Sequence, residues 1–503
     1  MLMSKVVLSL GSIILAQCVP ATATWPTQSF NSVDLLPPVL EITKNAATAP
    51  GYLFFGPKGK GALIMADDRS GGDLIWAGPS ELVFAFDMAE LDSEPILVYW
   101  TGSAFPDPNG FGYGMIKVFN SAYENVYNVT LPQSEGSFYT GTTTTYNSYI
   151  DLHESFVTNR GSILVTATNV SQTDLTSVGG PSDGWLRQSL FYEIDIKTNE
   201  IIYQWNSWDH RDQIPLTGTL EELHEEGSAS SSAFNYFHIN AVSLFQGYYV
   251  ISSRYYCAVF LIDPKDGSVV WEIQGQDGGD FTLPSDAQFC YQHDARIVSM
   301  TSDNVVLHLH DNANSYWANG TTPTSGLLLS IDLKAKEITK LARYQNPADP
   351  LFAISQGSYE ALANGHVFMD HGYLPIMEEF DEHGNCVETV QFGVAGTTSS
   401  YRGFRYEWEG HPKTAPAVVG CLDDSSNSVN LYVSWNGATQ VQEWEVYATY
   451  NHSKGQQQVE CTAKTGFETT ITIDYDPHIS DFVVQAKGFQ QSSTLSLASL
   501  NVC

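Results

Sequence analysis

The sequence predicts an all-β fold, a six-bladed β-propeller followed by a C-terminal β-sandwich of the fibronectin type III kind. Three observations carry that expectation. A meander of four short strands occupies 234–275, its closing hairpin recurs as six copies along the chain, and the repeat stops after His411-Pro412.

The meander is the clearest unit. Its runs NYFHINAVSL, GYYVISSRYY, AVFLIDP and SVVWEIQ are rich in β-branched and aromatic residues and are bounded by Gly, Asp or Pro. The closing pair is an apolar strand, an Asp or polar turn, and a second strand. It recurs from Ile64, Lys117, Tyr192, Phe260, Ser330 and Glu378, at intervals of about 50–75 residues. The opening pair recurs in YIDLHESFVT, YFHINAVSL, YQHDARIVS and SQGSYEAL, each followed by a turn and a second strand. Either 37–56 or the SYRGFRYEW segment is expected to supply the strand that closes the ring. Residues 413–503 contain no copy of the repeat and read as short strands, with Trp435 as a core candidate.

The first 23 residues read as a secretory signal peptide: Lys5, an apolar run from Val6 to Ala16, then Ala21-Thr22-Ala23. That run is too short to span a bilayer. The expected organisation is therefore a signal peptide at 1–23, a propeller at 24–412 and a sandwich at 413–503. Secretion fits sequons at Asn128, Asn169, Asn319 and Asn451, which accept N-glycans in a eukaryote. It also fits Cys257, Cys290, Cys386, Cys421, Cys461 and Cys503, an even set able to form disulfides in several connectivities. A net charge of −33 argues against nucleic acid and anionic membrane surfaces as partners, and no membrane insertion is expected. Attraction for a small anion has to be local.

The first strand of each propeller blade lines the central channel, so equivalent positions in successive blades face one another. His153, His238, His293 and Gln356 hold one repeat position. Asn240 follows His238 by two residues, on the same strand face, and Arg254 ends the next strand. A neutral imidazole serves as nucleophile or base, and a guanidinium holds a sulfate-like or carboxylate group through two donors. The plainer reading is that these histidines close hydrogen bonds at strand ends. His308 and His310 share a strand face but lack a third ligand, so no metal is expected, and no cofactor. Gly180-Pro181-Ser182-Asp183-Gly184 matches G-x-S-x-G only formally, because it lies in a Pro-containing loop.

The same residues carry a resemblance. DLHE at 151–154, GWLRQSLFYEIDIKT from Gly184, FHIN at 237–240 and ISSR at 251–254 appear in order. QHDAR at 292–296, HDN at 310–312, SQGS at 355–358 and SYRGFR at 400–405 follow them. Together they resemble the fungal-type branch of the arylsulfotransferase family over 37–412. The resemblance implies a six-bladed propeller that moves a sulfuryl group between phenols without the nucleotide donor PAPS. It also implies that His293 is the transiently sulfated nucleophile, with His153, His238, Asn240 and Arg254 holding sulfuryl oxygens. Gln356, Tyr255 and Asn312 are assigned to substrate binding. The chain departs from the branch at Arg187, where an acidic residue is common, and at Tyr255, where His is common.

Three functions are weighed. The leading one is a secreted sulfotransferase-like enzyme acting on small aromatic substrates by a ping-pong route. A second keeps the pocket but cyclises or rearranges a small natural product by acid/base catalysis. A third is a non-enzymatic secreted binding module.

Overall fold

The computed structural model describes residues 24–105, 110–136, 138–318, 320, 322–451 and 455–503. The signal-peptide reading at 1–23 and the Asn319 sequon fall outside the described residues. The architecture is all-β and propeller-like, and the helical elements among the described residues are 3-10 turns of three or four residues. No described helix is long and apolar enough to cross a membrane.

Residues 41–406 form six antiparallel sheets in chain order. Sheet 1 combines Gly403–Tyr406 with Tyr52–Phe55, Leu63–Ala66 and Asp73–Ala77. Sheet 2 runs from Phe84–Leu91 out to Asn125–Val129, and sheet 3 from Asp151–Val157 out to Ile201–Asn206. Sheet 4 runs from Ile239–Phe245 to Val269–Gln274, and sheet 5 from His293–Met300 to Glu337–Tyr344. Sheet 6 runs from Ser358–Ala361 to Cys386–Gln391 and takes Glu41–Lys44 as a fifth, outer strand. The innermost strands of the six sheets touch in cyclic order, and Gly403–Tyr406 contacts both Ser358–Ala361 and Phe84–Leu91. The SYRGFR segment thus supplies the inner strand of sheet 1, while the segment 37–56 supplies its neighbour and an outer edge.

Sequence chemistry accounts for the sheets. Middle strands are covered on both faces by adjacent sheets, so they read as unbroken apolar runs. Ala258–Ile262 is AVFLI and buried at every position. The core lies between sheets, as where Phe191 and Trp205 of sheet 3 meet Val242 and Phe260 of sheet 4 and Phe237 just before it. The recurrent Asp of the outer hairpins caps its own turn. Asp195 Oδ1 accepts the backbone N–H of Lys197 and Thr198, and Asp332 Oδ1 those of Lys334 and Ala335.

Beyond these, Ala417–Asp423, Ser428–Ser434, Glu468–Asp474 and Asn501–Val502 form one four-stranded sheet. Glu443–Tyr450, Gln456–Ala463, Ile479–Ala486 and Ser492–Ser496 form another. Trp435, Trp444, Ile471 and Phe482 are buried together in the core that these two sheets share. Disulfides join Cys421 to Cys503 and Cys257 to Cys290, and Cys386 and Cys461 are free. The C-terminal sheets lean on sheet 1. The Phe467 N–H donates to Asp73 Oδ1 at 3.0 Å, and Asn436 exchanges two 2.9 Å hydrogen bonds with the Ala77 backbone.

Candidate active site

The inner strands of sheets 3 to 6 deliver their leading residues to one place. A cavity of about 450 Å3 is lined by His153, His238, His293, Arg254, Tyr255 and Gln356. Left-handed backbone makes this possible: His238, Asp294 and Gln356 have φ of 57°, 51° and 66°. Such conformations are costly for non-glycine residues and persist where surrounding structure enforces them. In sheet 4 the register shifts between Ile239 and Ala241, which makes Asn240 an extra, bulged residue. The expectation that His238 and Asn240 share a strand face therefore fails. Asn240 is fully buried, and its Nδ2 donates to Gln292 O at 2.6 Å behind the cavity lining.

Two hydrogen-bond systems assign the imidazole protons. Asn235 Nδ2 is 2.7 Å from His238 Nδ1 and can only donate. Burial, then the positive groups around it, push the His238 pKa well below its ordinary value, so the ring is neutral and its proton sits on Nε2. That Nε2–H points at His153 Nε2, 3.1 Å away, so His153 carries its proton on Nδ1 and donates it to Asp151 Oδ2. The chain reads Asn235, His238, His153, Asp151. His293 is separate. Its Nδ1 donates to Asn312 Oδ1 at 2.7 Å, which leaves a lone pair on Nε2 that accepts the Gln356 backbone N–H at 3.1 Å. Burial, followed by the Arg254 charge, lowers the His293 pKa well below the usual value. Asn312 thus orients His293 from behind the cavity.

Arg254 follows the second strand of sheet 4. Its Nη1 donates to Tyr255 Oη and its Nη2 to Ile354 O, both at 2.9 Å, and its buried Nε has no partner among the described residues. Tyr255 packs 5.1 Å from the His238 ring, and burial pushes its phenol up to about 12. The Cys257–Cys290 bridge ties the turn after Arg254 to the segment leading into His293.

Beneath the histidines lies a buried ion network. Arg402 Nη1 donates to Glu154 Oε1 at 2.6 Å and Nη2 to Asn240 O at 3.0 Å. Arg296 reaches Glu154 Oε2 at 2.8 Å and Asp294 Oδ1 at 2.9 Å, while Asp294 Oδ2 accepts the Tyr359 N–H at 3.0 Å. Burial alone raises the Glu154 pKa, but Arg296 and Arg402 overcome it and hold the carboxylate below its ordinary value. These contacts pin the inner ends of sheets 3, 4, 5 and 6 to the segment entering sheet 1.

A wider cleft, about 690 Å3, lies at the hairpin turns of sheets 2 and 3 near Ser93 and Gly161, and none of the expected site residues lines it. His308 packs on Tyr359 at 4.4 Å, and His310 Nε2 stands 3.4 Å from His371 Nδ1. No group of three or more His, Cys, Asp or Glu among the described residues has the geometry to hold a metal ion.

The family model described as arylsulfotransferase (ASST) matches residues 87–393, more than half of the chain. The chain belongs to the arylsulfotransferase family. No curated protein matches it. Among solved structures, the α-L-arabinanase of Penicillium chrysogenum, complexed with arabinobiose, is 10% identical over 72% of this chain and 92% of its own, with a TM-score of 0.32. The α-L-arabinofuranosidase of Fusarium graminearum is 8% identical over 70% of this chain and 88% of its own, at 0.31. Identities and scores this low carry nothing about chemistry.

Within this arylsulfotransferase-family chain, sequence reasoning missed Asp151, Asn235, Tyr401 and the network of Glu154, Asp294, Arg296 and Arg402. The signal was there: Glu154 and Asp294 directly follow His153 and His293. A charge at that point of a buried inner strand has to find a partner. Tyr401 lines the cavity with its ring 5.7 Å from His153.

Proposed function

We propose that the cavity moves a sulfuryl group from an aryl sulfate to a phenol through a sulfohistidine at His293. The observation that carries this reading is the His293 imidazole, neutral, with its proton held by Asn312 and its Nε2 lone pair accepting the Gln356 backbone N–H at the wall of a cavity that Arg254 also lines. The lone pair attacks sulfur, an N–S bond forms, and the S–O(aryl) bond breaks with its electron pair leaving on the phenolate. The Gln356 N–H yields its place on Nε2 to sulfur and then bonds a sulfuryl oxygen, with the unpartnered Arg254 Nε as a second donor. The donor phenol leaves as its phenolate and takes a proton from water. In the second half-reaction the His153 Nε2 lone pair, freed from His238, takes the acceptor phenol's proton, giving an imidazolium paired with Asp151 that then passes the proton to water. The acceptor oxygen then displaces the imidazole and restores it.

In this reading the six sheets are the blades of a six-bladed propeller at 24–412, and the C-terminal pair is a β-sandwich domain at 413–503. The protein is secreted after loss of 1–23, belongs to the fungal-type branch and takes small aromatic substrates. The disulfides and the exposed sequons Asn128 and Asn451 support that address. Asn169 is half-buried, with its Oδ1 accepting the Tyr139 N–H, so its glycan requires a local adjustment.

The test is incubation with 4-nitrophenyl sulfate and intact-mass detection of one added SO3, mapped to His293. His293→Ala should abolish both half-reactions. Robust turnover by His293→Ala would overturn the covalent route.

A further inference from the structure

The outer end of the cavity is built from different material. Tyr316 and Trp317, between strands Asn304–Asp311 and Ser325–Asp332 of sheet 5, line it while 62% and 52% exposed. Their rings meet edge-on at 4.8 Å, and His224 stacks on Trp317 at 4.4 Å. The same cavity is also lined by Lys58, in the loop between Tyr52–Phe55 and Leu63–Ala66 of sheet 1. Its backbone N–H donates to Ser399 O at 3.0 Å, but its ammonium has no hydrogen bond or ion pair among the described residues. Nearby Lys60, by contrast, donates to Leu36 O.

We propose that this end is a second subsite, for an extended aromatic ligand that carries a carboxylate away from its sulfate or phenol. Trp317 and Tyr316 hold the outer ring, and Lys58 pairs with the carboxylate. The inference rests on the sulfuryl-transfer reading for the inner end. Three physical points support it. A chain with 56 acidic and 23 basic residues pairs most of its lysines and arginines, so an unpaired ammonium on a cavity wall is a local attraction for an anion inside a repelling global field. Sheet 1 lies three places round the ring from sheet 4, which carries Arg254, so the two cations suit the two ends of one ligand rather than one group. Adjacent exposed aromatics on a cavity rim mark a binding surface, and about 450 Å3 is the size of pockets that enclose ligands of more than one ring.

The experiment compares 2-naphthol with 6-hydroxy-2-naphthoate as acceptors, with 4-nitrophenyl sulfate as donor. The wild type should favour the carboxylate by about tenfold in kcat/KM. Lys58→Gln should bring that ratio to about one, and Lys58→Glu should invert it. Trp317→Ala should lower the preference for 2-naphthol over phenol by about fivefold. A wild-type ratio near one, or a ratio unchanged in Lys58→Gln, overturns the proposal. Calorimetric binding of 6-hydroxy-2-naphthoate without any donor separates this subsite from the transfer chemistry. Binding weakened by Lys58→Gln supports the subsite even if no sulfuryl group moves. Turnover of 4-nitrophenyl sulfate alongside binding that ignores Lys58 sinks the subsite and leaves the transfer reading standing.

Discussion

Asn312 Oδ1 accepts the His293 Nδ1 proton at 2.7 Å, and Asn312 Nδ2 donates to Gln356 O at 3.0 Å. One side chain therefore fixes both the tautomer of the proposed nucleophile and the loop whose N–H covers its lone pair. Asn312→Ala should lower kcat by roughly 10- to 100-fold, through loss of orientation, with a smaller effect on KM. Asn312→Asp keeps the acceptor but adds a charge, which raises the His293 pKa and moves the acid limb of the pH–rate profile upward. An unchanged profile in Asn312→Asp would count against His293 as the titrating nucleophile.

Arg254 separates charge from geometry. Removing one charge-assisted donor to a transition-state oxygen costs about 3 kcal/mol, so Arg254→Ala should slow both half-reactions about a hundredfold. Arg254→Lys should recover little, because an ammonium cannot reproduce the planar spread in which both Nη groups hold Tyr255 Oη and Ile354 O while Nε serves the sulfuryl group. Single-turnover rates with aryl sulfate, then with phenol, give the two effects separately.

The pH dependence follows from burial. His293 and His238 are both held well below the ordinary histidine pKa. The neutral, reactive forms therefore persist on the acid side of neutrality, and kcat/KM should stay level from pH 7 down through about 6.5, where an ordinary histidine would already be half protonated. For the same reason stability is lost as pH falls below about 6.5, since the unfolded chain then binds protons that these folded histidines refuse. A kcat/KM limb centred at or above pH 6.5 would contradict the neutral pair.

The Arg402–Glu154 contact joins chain segments 248 residues apart. Arg402→Met leaves Glu154 buried with half its compensation, at a cost of about 3 kcal/mol or more. Thermal unfolding should register the loss, and Glu154→Gln, which removes the charge that needs a partner, should partly restore an Arg402→Met background.

The Cys257–Cys290 bridge closes a loop with a sequence separation of 33. Chain entropy for such a loop gives about 3–4 kcal/mol, so the double Cys→Ala variant should melt lower. Activity per folded molecule should also fall, because the bridge anchors the turn carrying Arg254 against the approach to His293. A variant that melts lower yet keeps full specific activity would confine the bridge to stability.

The sequence by itself determined the strands and the residue types of the site. Period-two alternation, β-branched runs and Asp turns are local signals, so all six outer hairpins read from the repeat lie in the outer strands of the six sheets. The repeat likewise put His153, His238, His293 and Gln356 at equal positions, and all four line one cavity, because a repeat converts equal positions into neighbours. Arg254 and Tyr255, which line it too, were read from the end of the following strand and from the family resemblance. Tertiary structure alone decided the rest. A bulge at the head of sheet 4 sends Asn240 behind the cavity, and no local signal distinguishes that residue from its neighbours. The pairing of Glu154 with Arg402 and the relay from Asn235 to Asp151 depend on which strands meet across the ring. The proton positions on the histidines follow from those partners. A charge or an imidazole takes its properties from what lies within a few ångströms, and for these residues that surrounding is assembled from segments far apart in the chain.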